Sequence, residues 1–182
     1  MDNSRWRIFW RNWLDGSGLD RKKIIKYKIL LPRKVIEKVG PRDENLKLFE
    51  DQDMFIRIAQ AGYNMGCVNE PLFKYYIDDY NLSKDFKKAS DDYERFLAKH
   101  QSEIAKHKDI CGAHYRHLAT MHLLGGNKAA ARKAFVKSIK ADPNIRNIFT
   151  AALSLLGQKA YLKILNFKKE LALSKQKNNG EK

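Results

Sequence analysis

The feature that most constrains this chain is a change of hydrophobic period just after Asn81. From residue 84 to about 174, apolar side chains recur every three to four residues, the repeat of an amphipathic helix. Breaks fall near Ile110–Gly112, Gly125–Asn127, Asp142–Asn144 and at Gly157, which divides the stretch into five helices. The chain before Asn81 reads differently. DRKKIIKYKILL, over 20–31, reads as an extended segment, and Pro32 opens a helix carrying Val35, Ile36 and Val39 that stops at Gly40. EDQDMFIRIAQAG predicts a second helix, with acids in its first turn, Met54, Phe55, Ile58 and Ala59 on its buried face, and Gly62 as its stop. YNMGCVN and PLFKYYI then read as two short strands divided by Glu70-Pro71.

The expected fold class therefore runs from α+β to mostly α: a mixed segment over 1–82, a helical module over 83–174 and a polar, disordered tail over 175–182. Within the helical module, placing Pro143 at the closing position of a tetratricopeptide unit puts Tyr115, Leu118, Ala119, Ala131, Phe135 and Ser138 at its other key positions, with His122 where an aromatic is usual. One unit is too few for a solenoid, so this predicts a packed helical hairpin rather than a peptide-binding array.

Charge separates the segments further. The 182 residues hold 36 basic and 21 acidic side chains, net +15, yet residues 41–80 carry net −4. An acidic island inside a basic protein needs its own reason. Acids favour helix N-termini, which explains one or two of them. Asp43, Glu44, Glu50, Asp51 and Asp53 make five within eleven residues. Carboxylates at a loop-to-helix junction can take a proton from a substrate hydroxyl or hold a divalent cation.

The same stretch carries a resemblance. Gly40, Asp43-Glu44, Glu50-Asp51, Arg57, Gly62-Tyr63, Glu70-Pro71-Leu72 and Tyr75 or Tyr76 follow in the order and spacing of the second half of a family 2 glycosyltransferase catalytic domain. The run over about 24–83 resembles that family, and the helical continuation resembles the C-terminal extensions of such enzymes. The resemblance implies the C-terminal remnant of a glycosyltransferase-A-type α/β domain. It implies inverting transfer of a sugar from a nucleotide diphosphate to the hydroxyl of a glycan or lipid-linked acceptor. Asp51 would be the catalytic base, Glu50 would bind the acceptor or orient Asp51, and Asp43 and Glu44 would shape the acceptor-side loop. Asp53 and Arg57 would give structural support, Arg57 by pairing with a nearby acid. The complete enzyme would use Mn²⁺ or Mg²⁺. The family's first half, with its nucleotide-binding strands and Asp-x-Asp metal motif, is not among these residues. Asp51-Gln52-Asp53 has those letters but belongs to the base motif, so no metal site is assigned here. A separate chain supplying the missing half is therefore an expected partner.

Other features carry less. His114 and His117 share a helical face in the spacing of a two-ligand metal site, with Cys111 one turn earlier and no clear third ligand; packed helix residues explain them more simply. Cys67 and Cys111 are too few for a disulfide framework. Trp6, Trp10 and Trp13, edged by Arg5, Arg7 and Arg11, form a helical stripe. IFTAALSLLGQKAYLKILNFKKEL is amphipathic, with Lys159, Lys163, Lys168 and Lys169 beside apolar residues. Such pieces either complete a core or lie on an anionic membrane surface. The basic balance also suits nucleic acid, but no recognised motif for it is present, so nucleic acid is not an expected partner. The charged start and the lack of any apolar run near the ~20 residues of a bilayer span predict a cytoplasmic location, peripheral on the inner face of a membrane at most. The reading that competes with the enzyme is a helical adaptor for a protein partner or anionic membrane.

The absent nucleotide-binding half generates a prediction. The isolated chain should show no metal-dependent micromolar binding of UDP- or GDP-sugars in calorimetric titration, with Mn²⁺ present.

Overall fold

The computed structural model describes residues 31–63 and 85–164, and these are mostly helical. The chain divides into two compact units, 1–110 and 111–182. The expected extended segment before Leu31, the strands around Glu70-Pro71, the tryptophan stripe and the polar tail lie outside the described residues. Among the described residues there is no strand, and no helix is long and apolar enough to cross a membrane.

In the first unit, Pro32 precedes α1 (Arg33–Val39), where its fixed φ suits a helix start. Gly40 ends it at φ +82°, in the left-handed region that a side chain disfavours, and its N–H donates to Ile36 O at 2.8 Å. Helix α2 (Glu50–Gln60) lays Met54 and Ile58 on Val35 of α1, with Leu31, Val39 and Tyr63 around this small core. Ile56, only 1% exposed, is buried as well, so α2 is covered on more sides than one apolar stripe would require.

Helix α3 (Phe86–Ile104) starts at Asp85, whose carboxylate accepts from Lys88 N–H. Its stripe of Ala89, Tyr93, Phe96, Leu97, His100 and Ile104 is buried. Phe49, just before α2, meets Tyr93 at 4.7 Å and Phe96 at 5.9 Å between ring centroids. The compact division thus falls one helix later than the change of period at Asn81, because α3 buries its face against the loop that leads into α2.

The second unit holds most of α4 (Lys108–Leu124), then α5 (Lys128–Ala141), α6 (Ile145–Leu155) and a helical stretch over 158–164. Asn127 and Asn144 cap α5 and α6 by accepting from Ala130 and Asn147 N–H groups. Leu118, Ala119, His122, Ala131, Phe135 and Ser138 are buried, and α4 and α5 form a hairpin in which Ser138 Oγ donates to Gly112 O at 2.7 Å. Tyr161 closes the unit, its hydroxyl 2.8 Å from Thr120 Oγ1 and its ring 6.3 Å from Phe135.

One expected break is corrected. Ile110–Gly112 lies inside α4, and the chain turns at 105–107 instead. Gly112 is a point of close approach rather than a breaker. A Cβ there would stand 2.6 Å from Asp142 Cβ, 2.9 Å from Asn147 Nδ2 and 3.2 Å from Ser138 O. Gly112→Ala should therefore destabilise the helical unit despite alanine's higher helix propensity. Overpacking costs about 1–3 kcal/mol and the propensity gain offsets at most about 1 kcal/mol. Urea titration followed by circular dichroism should show a net loss of up to about 2 kcal/mol.

Candidate functional site

The acidic island gathers where the loop after α1 meets the start of α2 and one face of α3. The 3.6-residue repeat sends Asp51 and Asp53 to opposite sides of the first turn of α2. Asp53 points inward and is fully buried. A bare carboxylate there would be costly, and three donors offset that cost. Arg57 Nε donates to Oδ2 at 2.9 Å, while Lys99 Nζ (2.7 Å) and His100 Nε2 (2.9 Å) reach Oδ1. Burial pushes the Asp53 pKa up, but hydrogen bonds from Lys99, His100 and Arg57 outweigh it and hold the group below 3.8. An ionised carboxylate only accepts, so His100 donates through Nε2–H. Burial holds His100 below 6.5, a neutral imidazole at pH 7.

Each cation does a second task. Arg57 turns its guanidinium onto the loop, with Nη1 donating to Val39 O and to Gly40 O (3.3 Å), and Nη2 to Pro41 O (2.8 Å). Lys99 bridges to Asp43 Oδ2 at 2.5 Å. Asp43 in turn accepts from Asn45 N–H (3.0 Å) and Nδ2 (3.1 Å), and the Lys99 hydrogen bond is the main reason its pKa falls to about 2. Glu44 is exposed on the same loop.

Asp51 is in another setting. Its side chain is 44% exposed, and Arg42, itself 61% exposed, reaches Oδ1 with Nη2 at 2.9 Å. Arg42 Nη1 stands 4.0 Å from Glu50 Oε1. Glu50 Oε2, by contrast, is buried with no hydrogen-bond partner. Behind these residues, Asp92 of α3 is 3% exposed and accepts from the N–H groups of Lys47, Leu48 and Phe49, the last at 3.3 Å and Leu48 at 2.8 Å. Asp92 thus satisfies from a distant helix the orphan donors that precede α2.

All five acids of the island therefore lie near one helix start, in three roles. Asp53 and Asp43 are held by Lys99, Asp51 and Glu50 stand against surface Arg42, and Glu44 faces solvent. Sequence reasoning missed Lys99, His100 and Asp92, which come from more than forty positions away and carry no local signal. It also missed Arg42, whose position beside Asp43 could have marked it as an ion-pair partner.

The histidines of the second unit make no comparable site. His114 is fully buried, and burial, with the charge of Arg116, lowers His117 to about 4. Burial raises the Cys111 thiol. Among the described residues no three His, Cys, Asp or Glu side chains are grouped to hold a metal ion. Compared with known protein families, curated proteins and solved structures, the chain finds no match.

The network sets the acid response. His100 binds its proton less readily folded than unfolded, so stability falls as pH drops below 6.5. Asp43 and Asp53 are depressed in the fold, so their contribution is full above 3.8 and, for Asp43, is lost as pH falls toward about 2. Thermal melts should show stability declining in both windows. Asp53→Asn should cost roughly 2–3 kcal/mol at pH 7, less than a wholly buried pair because Lys99 and Arg57 reach solvent. It should also flatten the lower window in part.

Proposed function

We propose that this chain is the acceptor-side, C-terminal portion of a family 2 glycosyltransferase, with Asp51 as the base of an inverting sugar transfer. The observation that supports this best is the partition of two neighbouring carboxylates. Asp53 is fully buried among Arg57, Lys99 and His100, whereas Asp51, two residues earlier, stands at the surface with one exposed cation. A catalytic base must be reachable by the hydroxyl that it deprotonates. Asp51 meets that requirement and Asp53 does not.

The roles follow from the positions. The acceptor oxygen attacks the anomeric carbon, the bond from that carbon to the nucleotide diphosphate breaks on the opposite face, and Asp51 takes the hydroxyl proton. Arg42, itself exposed, pairs with Asp51 at 2.9 Å and would exchange that contact for solvent when the acceptor arrives. Glu50 would orient Asp51, because its Oε1 stands 4.0 Å from the same Arg42 guanidinium that pairs with Asp51. Asp53, Arg57 and Lys99 are positioning residues: they fix the loop over 39–43 against α2 and so set where Asp51 stands.

A divalent cation at the donor diphosphate belongs to the same resemblance. The acids described here do not fit one, because Asp43 and Asp53 are taken by Lys99, His100 and Arg57, and no step is assigned to it. Donor binding is assigned to a strand-rich half outside these residues.

With that half supplied by fusion or as a partner chain, Asp51→Asn should lower transfer by at least about 100-fold while donor affinity stays within about twofold. The amide keeps the shape and cannot take the proton. Asp53→Asn should instead lower the melting temperature. Equal losses of transfer in the two variants, both still folded, would refute Asp51 as the base.

A further inference from the structure

We infer that α6 is a docking surface for anionic membrane, carried by a stripe of apolar side chains that faces solvent. This inference is independent of the glycosyltransferase reading. At 100° per residue, Ile145, Ile148, Phe149, Ala152, Leu155 and Leu156 fall within about 120° of the circumference of the helix. That arc is the exposed one: Ile145 is 84% exposed, Leu155 70%, Leu156 68%, and Ile148 and Phe149 46% each.

The polar side of the helix faces the protein instead. Asn147 is fully buried, with Arg116 Nη1 donating to its Oδ1 and its own Nδ2 donating to Asp142 O at 2.7 Å. Leu153 alone of the large aliphatic residues on α6 is buried. The amphipathicity of α6 is therefore inverted, and its orientation is fixed by Asn147 rather than by apolar burial. An apolar stripe this continuous marks an interaction site.

Charge identifies the occupant. Residues 128–164 carry eight basic side chains and one acid, Asp142, whose carboxylate accepts from Asn144. All eight basic residues are exposed, with Arg146 on α6 and Lys159 and Lys163 just beyond it. The whole second unit holds 14 basic and 3 acidic residues. Two copies would bring like charges together, which disfavours self-association through this face. A stable protein interface takes roughly 800 Å² and 20–30 residues from each partner, far more than one three-turn stripe supplies. Nucleic acid would use the charges and could stack on Phe149, but it would leave Ile145, Ile148, Leu155 and Leu156 in water. A membrane with anionic headgroups uses both: the stripe enters the headgroup–acyl boundary while lysines and arginines meet phosphate and carboxylate groups.

The test uses the full chain and vesicle flotation, with phosphatidylcholine alone or mixed with about one third phosphatidylserine. Binding should favour the anionic vesicles by at least about tenfold and weaken by a similar factor in about 0.5 M NaCl. Ile148→Ser with Leu155→Ser should reduce binding at least about tenfold at unchanged helicity, because neither residue is in the core. Ile145→Ser with Leu156→Ser gives an independent pair should the first fail to fold. Binding that ignores the headgroup charge, or that survives both pairs, would overturn the inference. So would a dimer that the stripe variants dissociate, or retention on single-stranded DNA with no binding to anionic vesicles.

Discussion

The carboxylate of Asp53 is the point at which three separate parts of the first unit meet. Removed from water, it is tolerable only because Arg57, Lys99 and His100 all donate to it. Arg57 passes the constraint to the carbonyls of Val39, Gly40 and Pro41, and Lys99 passes it to Asp43. The loop after α1, the first turn of α2 and the last part of α3 are thereby fixed to one another. The surface position of Asp51 depends on this buried neighbour, since the helix places the two carboxylates on opposite sides.

Asp92 works in the same way one step back along the chain. It spends its two oxygens on three backbone N–H groups before α2, a place where a local serine or aspartate cap would be usual. The aromatic contacts of Phe49 with Tyr93 and Phe96 hold the same two pieces together from the apolar side. Polar and apolar contacts thus select one arrangement of α3 on the loop before α2.

The second unit obeys a different constraint, close approach. Gly112, Ala119, Ala131, Ala134 and Ser138 leave room for backbones to near one another, and Phe135 with Tyr161 fills what remains. Asn147 sits in that tight region with its polar groups paired, which turns the aliphatic side of α6 outward. A helix is thus oriented by hydrogen bonds against its hydrophobic preference.

Much of the helical order was legible in the sequence. Period, Pro32, first-turn acids and the breaks at glycine and Asp142–Asn144 place α1, α2, α5 and α6 to within a few residues, because those signals act over one or two turns. Gly112 misled for the same reason: local rules treat glycine as a breaker, and its actual use depends on Asp142 and Asn147 some thirty positions later. The acidic island was visible as composition, but its division into a buried, ion-paired Asp53 and a surface Asp51 required Lys99 and His100 to arrive from α3. The apolar pattern of α6 was equally visible, while the side that faces water was not. Periodicity fixes which residues share a face. Which face is buried is decided by the neighbours that the chain brings up against it.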